Sequence, residues 1–308
     1  MGMKLLSVFL ALVAAGSNAT SNVIQRITNK DEGNVRTLSL RLVVDLLHRP
    51  LWFAAIGAVT ASFVLQAAAL RFGPLAMVEP LLVCELPLTF VGAAVVLHAP
   101  LGRREWTAAV VMTGGLAALV YFLDPHAGTP KTVSPLVWVV GLGASACSVG
   151  ALVLAGWRSS GDRRAASYGA ATGIMFGTTA ALMKGAVAHV SAPESLFTSW
   201  ETYAMVLAGI LAMYLVQNAM QAGKIVAAQP GITLLDPVVA IVWGVVGFGE
   251  QTASGAVHLG LSAGGGALMV LGALLLSRSP VLEHGRESPG TTAQTSGGER
   301  RAAEGAVP

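Results

Sequence analysis

Charge is scarce in this chain. Only 11% of its 308 residues are Asp, Glu, Lys or Arg, against 54% hydrophobic residues and a mean hydropathy of +0.67. A soluble domain of this size needs far more charge to cover its surface, so the composition excludes an ordinary soluble fold. Cysteine is scarcer still. Cys84 and Cys147 both fall inside apolar runs, where they read as small buried residues and imply neither a disulfide nor a metal–thiolate site. No HExxH, P-loop or dinucleotide fingerprint occurs. That argues against an enzyme, against a bound cofactor and against transport driven by ATP on this same chain. Gly260-Leu-Ser-Ala-Gly264 matches GxSxG, but no strand precedes it and it lies within an apolar helix, so the nucleophile-elbow reading is rejected.

Long apolar runs are what the chain has in abundance. Nine of them, at 5–24, 51–70, 74–98, 105–123, 135–157, 167–189, 200–221, 224–248 and 255–277, reach the roughly 20 residues that cross a hydrocarbon core. Backbone groups in lipid must be satisfied within the segment, so these are helices. Trp52, Trp106, Trp138, Trp157 and Trp200 stand near span ends, as interfacial aromatics do. The fold class is therefore all-α, a polytopic membrane helix bundle with the lipid bilayer as its principal partner.

The cations cluster by side. Arg26, Lys30, Arg36, Arg41, Arg49, Arg103, Arg104, Arg158, Arg163, Arg164, Lys224 and Arg278 fall on one face, against Lys4, Arg71 and Lys131 on the other. The net charge of +3 thus reflects cytoplasmic loops and not nucleic-acid binding. Positive residues stay inside, which predicts a multi-pass plasma-membrane protein with its N-terminus outside and its C-terminus in the cytoplasm. A cleaved signal peptide is a rival reading of the first span, because Met1-Gly2-Met3-Lys4 precedes an apolar run.

The chain also repeats itself. Gly73, Pro80, Pro87, Gly114 and Gly115 recur 150 residues later as Gly223, Pro230, Pro237, Gly264 and Gly265. Two prolines seven apart in the middle of an apolar run are a costly coincidence. The spacing predicts two halves, about 4–123 and 165–277, joined by a linking helix at 135–157. Four spans plus one crossing start the second half from the opposite face, so nine transmembrane helices form two inverted repeats in a 4+1+4 order. Residues 1–278 form the membrane domain. Segment 35–49, with Leu38, Leu42 and Leu46 among basic residues, reads as an amphipathic helix on the cytoplasmic surface. Residues 279–308 read as a disordered cytoplasmic tail.

The stretches LQAAALRFGPLAMVEPLL at 65–82, LVQNAMQAGKIVAAQPGITLLDPVVAIVWGVVGFGE at 215–250 and GTTAALMKG at 177–185 resemble the drug/metabolite transporter superfamily (EamA-like). The nine spans and the proline-bracketed helices are most similar to its NIPA-like branch. The resemblance covers about residues 4–278. It implies a secondary transporter of a small solute working by alternating access. The alternative is NIPA-like movement of Mg²⁺ or another divalent cation, and a non-transporting scaffold is the third reading. Where the wider superfamily has ten helices with both termini cytoplasmic, this chain has only segment 35–49 in place of a second helix.

Polar residues inside the bilayer are candidate functional groups. Glu85 lies between Pro80 and Pro87, and Asp236 between Pro230 and Pro237, one position apart under the repeat. These prolines free backbone carbonyls that can line a cavity. If the cargo is a divalent cation, Glu85 and Asp236 are the metal ligands. Structural hydrogen bonding to a neighbouring helix is the other reading of both acids. Glu79 lies toward the outer face, and Lys184 either pairs with it or snorkels to the interface. Glu250 reads as an interfacial loop residue. Ser17, Asn18, Ser21, Asn22 and Gln25 make a polar stripe on the first helix, and Gln66, Gln217, Gln221 and Asn218 add amides on the second and seventh. The stripe and the amides are expected to face a central cavity, with interhelical bonding as the alternative. Gly169, Gly173 and Gly177, and Gly260 with Gly264, read as packing ridges. A homodimer remains open as an assembly.

Overall fold

The computed structural model describes residues 2–30, 50–97, 102–126, 133–188, 195–223 and 225–277. Segment 35–49, the tail 279–308 and the side chains of Gln25 and Trp52 lie outside the described residues. The order is α1 (Gly2–Lys30), α2 (Pro50–Phe72), α3 (Leu75–Leu82), α4 (Glu85–Leu97), α5 (Arg103–Leu123), α6 (Pro135–Trp157), α7 (Gly161–Ala188), α8 (Ser195–Thr198), α9 (Trp200–Ala222), α10 (Ile225–Val242) and α11 (Ala256–Ser277). A π-helical turn, Trp243–Gly247, extends α10. No strand occurs among the described residues; the bridge between His126 and Gln251 is isolated.

Among the described residues, eight helical stretches are long and apolar enough to cross a membrane, one of them Leu75–Val96 running through α3 and α4. Of the ninth expected span, 167–189, residues 167–188 are helical as part of α7 but fall short in apolarity. The cause is its position. Sixteen of the 28 residues of α7 are buried, mostly Gly, Ala, Thr and Met, because α2, α6, α9 and α10 pack around it. Lipid demands apolar side chains only where it touches the helix. The opposite case is α6, as apolar as any span and almost wholly exposed.

Helix ends alternate between two faces. At one end, Lys4 of α1 pairs with Asp124 after α5 at 3.7 Å. At the same end, the Ser7 hydroxyl donates to the Ala69 carbonyl of α2 at 2.8 Å. Trp138 at the start of α6 stacks edge-on against Trp200 at the start of α9, ring centroids 5.3 Å apart. At the other end Gly156 of α6 abuts Tyr168, and Gly223 abuts Gly161 and Asp162.

Glycine sets the closest approaches, as packing in lipid requires. Along α7, Gly169 meets Ala228, Gly173 meets the Gly231 carbonyl and Gly177 meets the Asp236 carbonyl of α10. The two sequences advance together, so these helices run parallel, and the ridge expected there is a packing ridge. The second expected ridge is not where the contact lies: Gly260 and Gly264 face open space. Gly265 and Gly272 make the contacts instead. Gly115 of α5 meets the backbone of Met269, and Gly265 of α11 meets the backbone of Leu119. Numbers rise along α5 as they fall along α11, so this pair is antiparallel. Each contact also becomes the other on a shift of 150 positions.

The tryptophans divide. Trp106, Trp157 and Trp200 are exposed, as interfacial residues should be, while Trp138 is buried. It packs on Trp243 at 5.0 Å and Phe248 at 6.1 Å between centroids, so it belongs to the core of the bundle and not to the interface.

Candidate functional site

The expected third span is broken. Pro80 and Pro87 have no N–H to give, so the helical ladder cannot run through them unchanged. Between them the bonding tightens to i→i+3: Val83 N–H donates to the Pro80 carbonyl, Cys84 N–H to Leu81 and Leu86 N–H to Val83, each at 3.1 Å. The result is a half-helix α3 ending at Leu82 and a second half-helix α4 starting at Glu85. Glu85 is thus the first residue of α4.

Asp236 sits differently. It lies within continuous α10, which contains both Pro230 and Pro237. Its Oδ1 atom is buried and has no hydrogen-bond partner. Glu79 and Glu85 lie within electrostatic range of Asp236, and Glu85 within range of Glu79. Three carboxyls from α3, α4 and α10 therefore share one electrostatic neighbourhood.

Amides serve two of the three. Asn18 Nδ2 of α1 donates to Glu85 Oε2, and Gln66 Nε2 of α2 donates to Glu79 Oε1 at 2.8 Å. Asn18 and Gln66 are thus bonded from the first and second helices to the acids of α4 and α3, the interhelical bonding that is the alternative to a cavity. The rest of the polar stripe spreads out. Ser21 is fully buried and donates to Ala55 of α2 at 3.0 Å, while Ser17 and Asn22 are half-buried. The stripe does not present one face to a cavity, because α1 is flanked by α2 on one side and by α3 and α4 on the other.

Gln217 and Gln221 are exposed on the last turns of α9, and Asn218 donates to the Tyr214 carbonyl of its own helix at 2.7 Å. The expectation that they face the centre fails: Ala212, Leu215 and Ala219 form the buried face of α9, which turns these amides outward. Thr89, four residues after Glu85 on α4, is buried and its hydroxyl has no partner. Sequence reading missed it; the i, i+4 spacing from Glu85 was the available signal.

Lys184 pairs neither with Glu79 nor with the interface. Its Nζ lies 2.8 Å from Glu250 Oε1 and donates to the Gly73 carbonyl at 2.8 Å. Glu250 is correspondingly not an interfacial loop residue but buried, at 4% exposure. The π-turn and Gly249, at φ +62°, swing the chain back on itself. Gly244 leaves room for the carboxylate, which a Cβ there would strike. Only glycine adopts that φ without strain.

With Lys184 committed to Glu250, the three-carboxyl group has two amide donors and no cation pairing with it among the described residues. Buried acids in this state stay neutral or take up a positive charge. As for a divalent metal at Glu85 and Asp236, no three His, Cys, Asp or Glu side chains among the described residues stand close enough to hold a metal ion. A hydrated Mg²⁺ would need carbonyls and water for most of its octahedron.

No protein-family model matches the chain, and no solved structure matches it. An uncharacterised protein of Corynebacterium glutamicum is 28% identical over 258 residues, covering 82% of this chain and 87% of that protein. The chain is similar to that protein along most of both lengths.

Proposed function

We propose that the chain is a secondary transporter of the drug/metabolite type, moving a small positively charged solute or protons across the plasma membrane by alternating access. The observation that carries this reading is the unpartnered Asp236 on α10 beside Glu79 and Glu85 on the proline-interrupted α3 and α4. Intramembrane acids without a counter-cation mark ion or substrate pathways, and discontinuous helices near the bilayer centre are where transporters place them. In this reading α7 is the ninth span, with its low apolarity explained by its neighbours. The halves are inverted repeats, supported by the antiparallel, self-reciprocal contact of Gly115 and Gly265, since a two-fold axis makes each contact recur with its partners exchanged. The C-terminus lies in the cytoplasm and the N-terminus outside. The Mg²⁺ reading shares the fold and uses the same acids with fewer ligands of its own.

The test is flux into liposomes containing the purified protein. Proton-coupled uptake of a cationic dye supports the proposal; Mg²⁺ flux without dye uptake selects the alternative. No flux of either, from protein that is monodisperse and correctly inserted, counts against transport by this site.

A further inference from the structure

We propose that Lys184 and Glu250 are positioning residues forming a gate at the end of the bundle away from the basic loops, and that α3 is the lever tying this gate to the carboxyl site. The inference rests on the transport reading and names the part that must open. The Glu250 side chain is 1% exposed and that of Lys184 14%. Glu250 Oε1 accepts from Leu75 N–H at 2.6 Å and Oε2 from Ala76 N–H at 2.9 Å, while Lys184 holds both Glu250 and the Gly73 carbonyl. Lys184 Nζ also lies 5.5 Å from the Phe248 ring centroid. One ion pair from the second half, on α7 and the loop after α10, thereby grips the first turn of α3 in the first half.

Net stability is a weak explanation for such a pair, because an apolar replacement of the same shape is often as stable. A bistable contact is the better one, since an ion pair and two N–H bonds can be made or broken as a unit. α3 suits the role of lever. It has eight residues, so it is about 12 Å long. Its start is clamped at Leu75 and Ala76, Glu79 lies on the next turn on the same face, and the tightened turn at Val83 and Cys84 joins it to α4. Glu79 cannot change its position relative to Asp236 without pulling on the clamp. Engagement of cargo at Glu79 and release of Glu250 are then two ends of one motion.

The experiment uses full-length protein in oriented membrane vesicles, with Cys84→Ser and Cys147→Ser removing native thiols and Gln66→Cys as reporter beside Glu79. A membrane-impermeant maleimide is applied from the Glu250 side. Lys184→Met and Glu250→Gln should each raise the labelling rate about tenfold, as when an open state grows from a small minority. Lys184→Arg, which keeps the charge, should leave it near the reference rate. Equal labelling in all four proteins overturns the gate. The labelling readout needs no flux, and flux is measured in parallel on protein that keeps Gln66, so the two claims separate: changed labelling without solute movement in the Gln66 protein sinks the transport reading alone, and transport with unchanged labelling sinks the gate alone. Should the single variants fail to insert, Lys184→Cys with Glu250→Cys, joined by a reducible bis-methanethiosulfonate long enough to replace the two lost side chains, tests the same contact. Bridging, verified by mass, should arrest flux and reduction restore it, and flux that is equal in bridged and reduced protein refutes the gate.

Discussion

Two helices begin from the same punctuation and end differently. Pro80 and Pro87 flank a break between α3 and α4, whereas Pro230 and Pro237 stand inside the uninterrupted α10. The prolines remove the same hydrogen bonds in both halves, so they permit a break without imposing one. Packing decides. α10 lies against α7 at backbone distance along three successive turns, at Gly169, Gly173 and Gly177, and this contact holds its axis continuous. Between α1 and the α3–α4 pair the polar contact is Asn18 reaching Glu85, at the start of α4. The two acids differ for the same reason: Glu85 begins a helix and has an amide partner, while Asp236 sits mid-helix with Oδ1 unserved.

The largest expected effect comes from removing the charge at each acid. Asp236→Asn and Glu85→Gln should each bring flux in liposomes down to the protein-free background while expression and detergent monodispersity stay near normal, since an amide keeps the size. Wild-type flux in both would make the acids structural.

Next come the glycines that hold one half rigid. Gly177→Val places a branched side chain against the Asp236 carbonyl and Val239, and overpacking of this kind costs about 1–3 kcal/mol. Thermal unfolding in detergent should shift down clearly. Gly264→Val faces open space and should stay within about 0.5 kcal/mol of wild type. Equal shifts would mean that the helices are not in backbone contact where the comparison requires it.

A smaller effect separates the prolines. Pro87→Ala can restore a donor toward the Val83 carbonyl and should straighten the break, slowing transport about tenfold, a change of about 1.4 kcal/mol in the barrier. Pro237→Ala in a helix already continuous should change the rate by less. The reverse order would show that α10 carries the moving joint. On flux, the smallest effect is expected at the amides, which act on stability instead. Asn18→Leu and Gln66→Leu each remove one donor to a buried carboxyl, costing about 1–3 kcal/mol, read as a lower melting temperature with residual flux.

Much of this was legible in the sequence because rare residues carried it. Prolines and acids inside apolar runs stand out, so the positions of Glu85, Asp236 and the break-prone segment could be read directly. The glycine repeat was legible too, but its register was not: Gly264 and Gly265 are both repeat mates of glycines, and only packing shows that Gly265 faces α5. Direction around a helix likewise misled for Gln217 and Gln221, where a nearly uniform apolar helix gave no periodicity to orient them. Lys184 and Glu250 were illegible for another reason. Glu250 is tied to Leu75 and Ala76, 175 and 174 residues away, and nothing local announces a contact made through a π-turn and a left-handed glycine.

The central claim is that Glu85 and Asp236, one from each half, belong to a single site. A double-mutant cycle on the binding of a cationic dye to the purified protein tests it most directly. If the acids share one site, Glu85→Gln and Asp236→Asn each weaken binding and the double variant is little worse than the weaker single, with an interaction energy of about 1–3 kcal/mol. Losses that add to within about 0.5 kcal/mol would place the two carboxyls in independent sites and contradict the account.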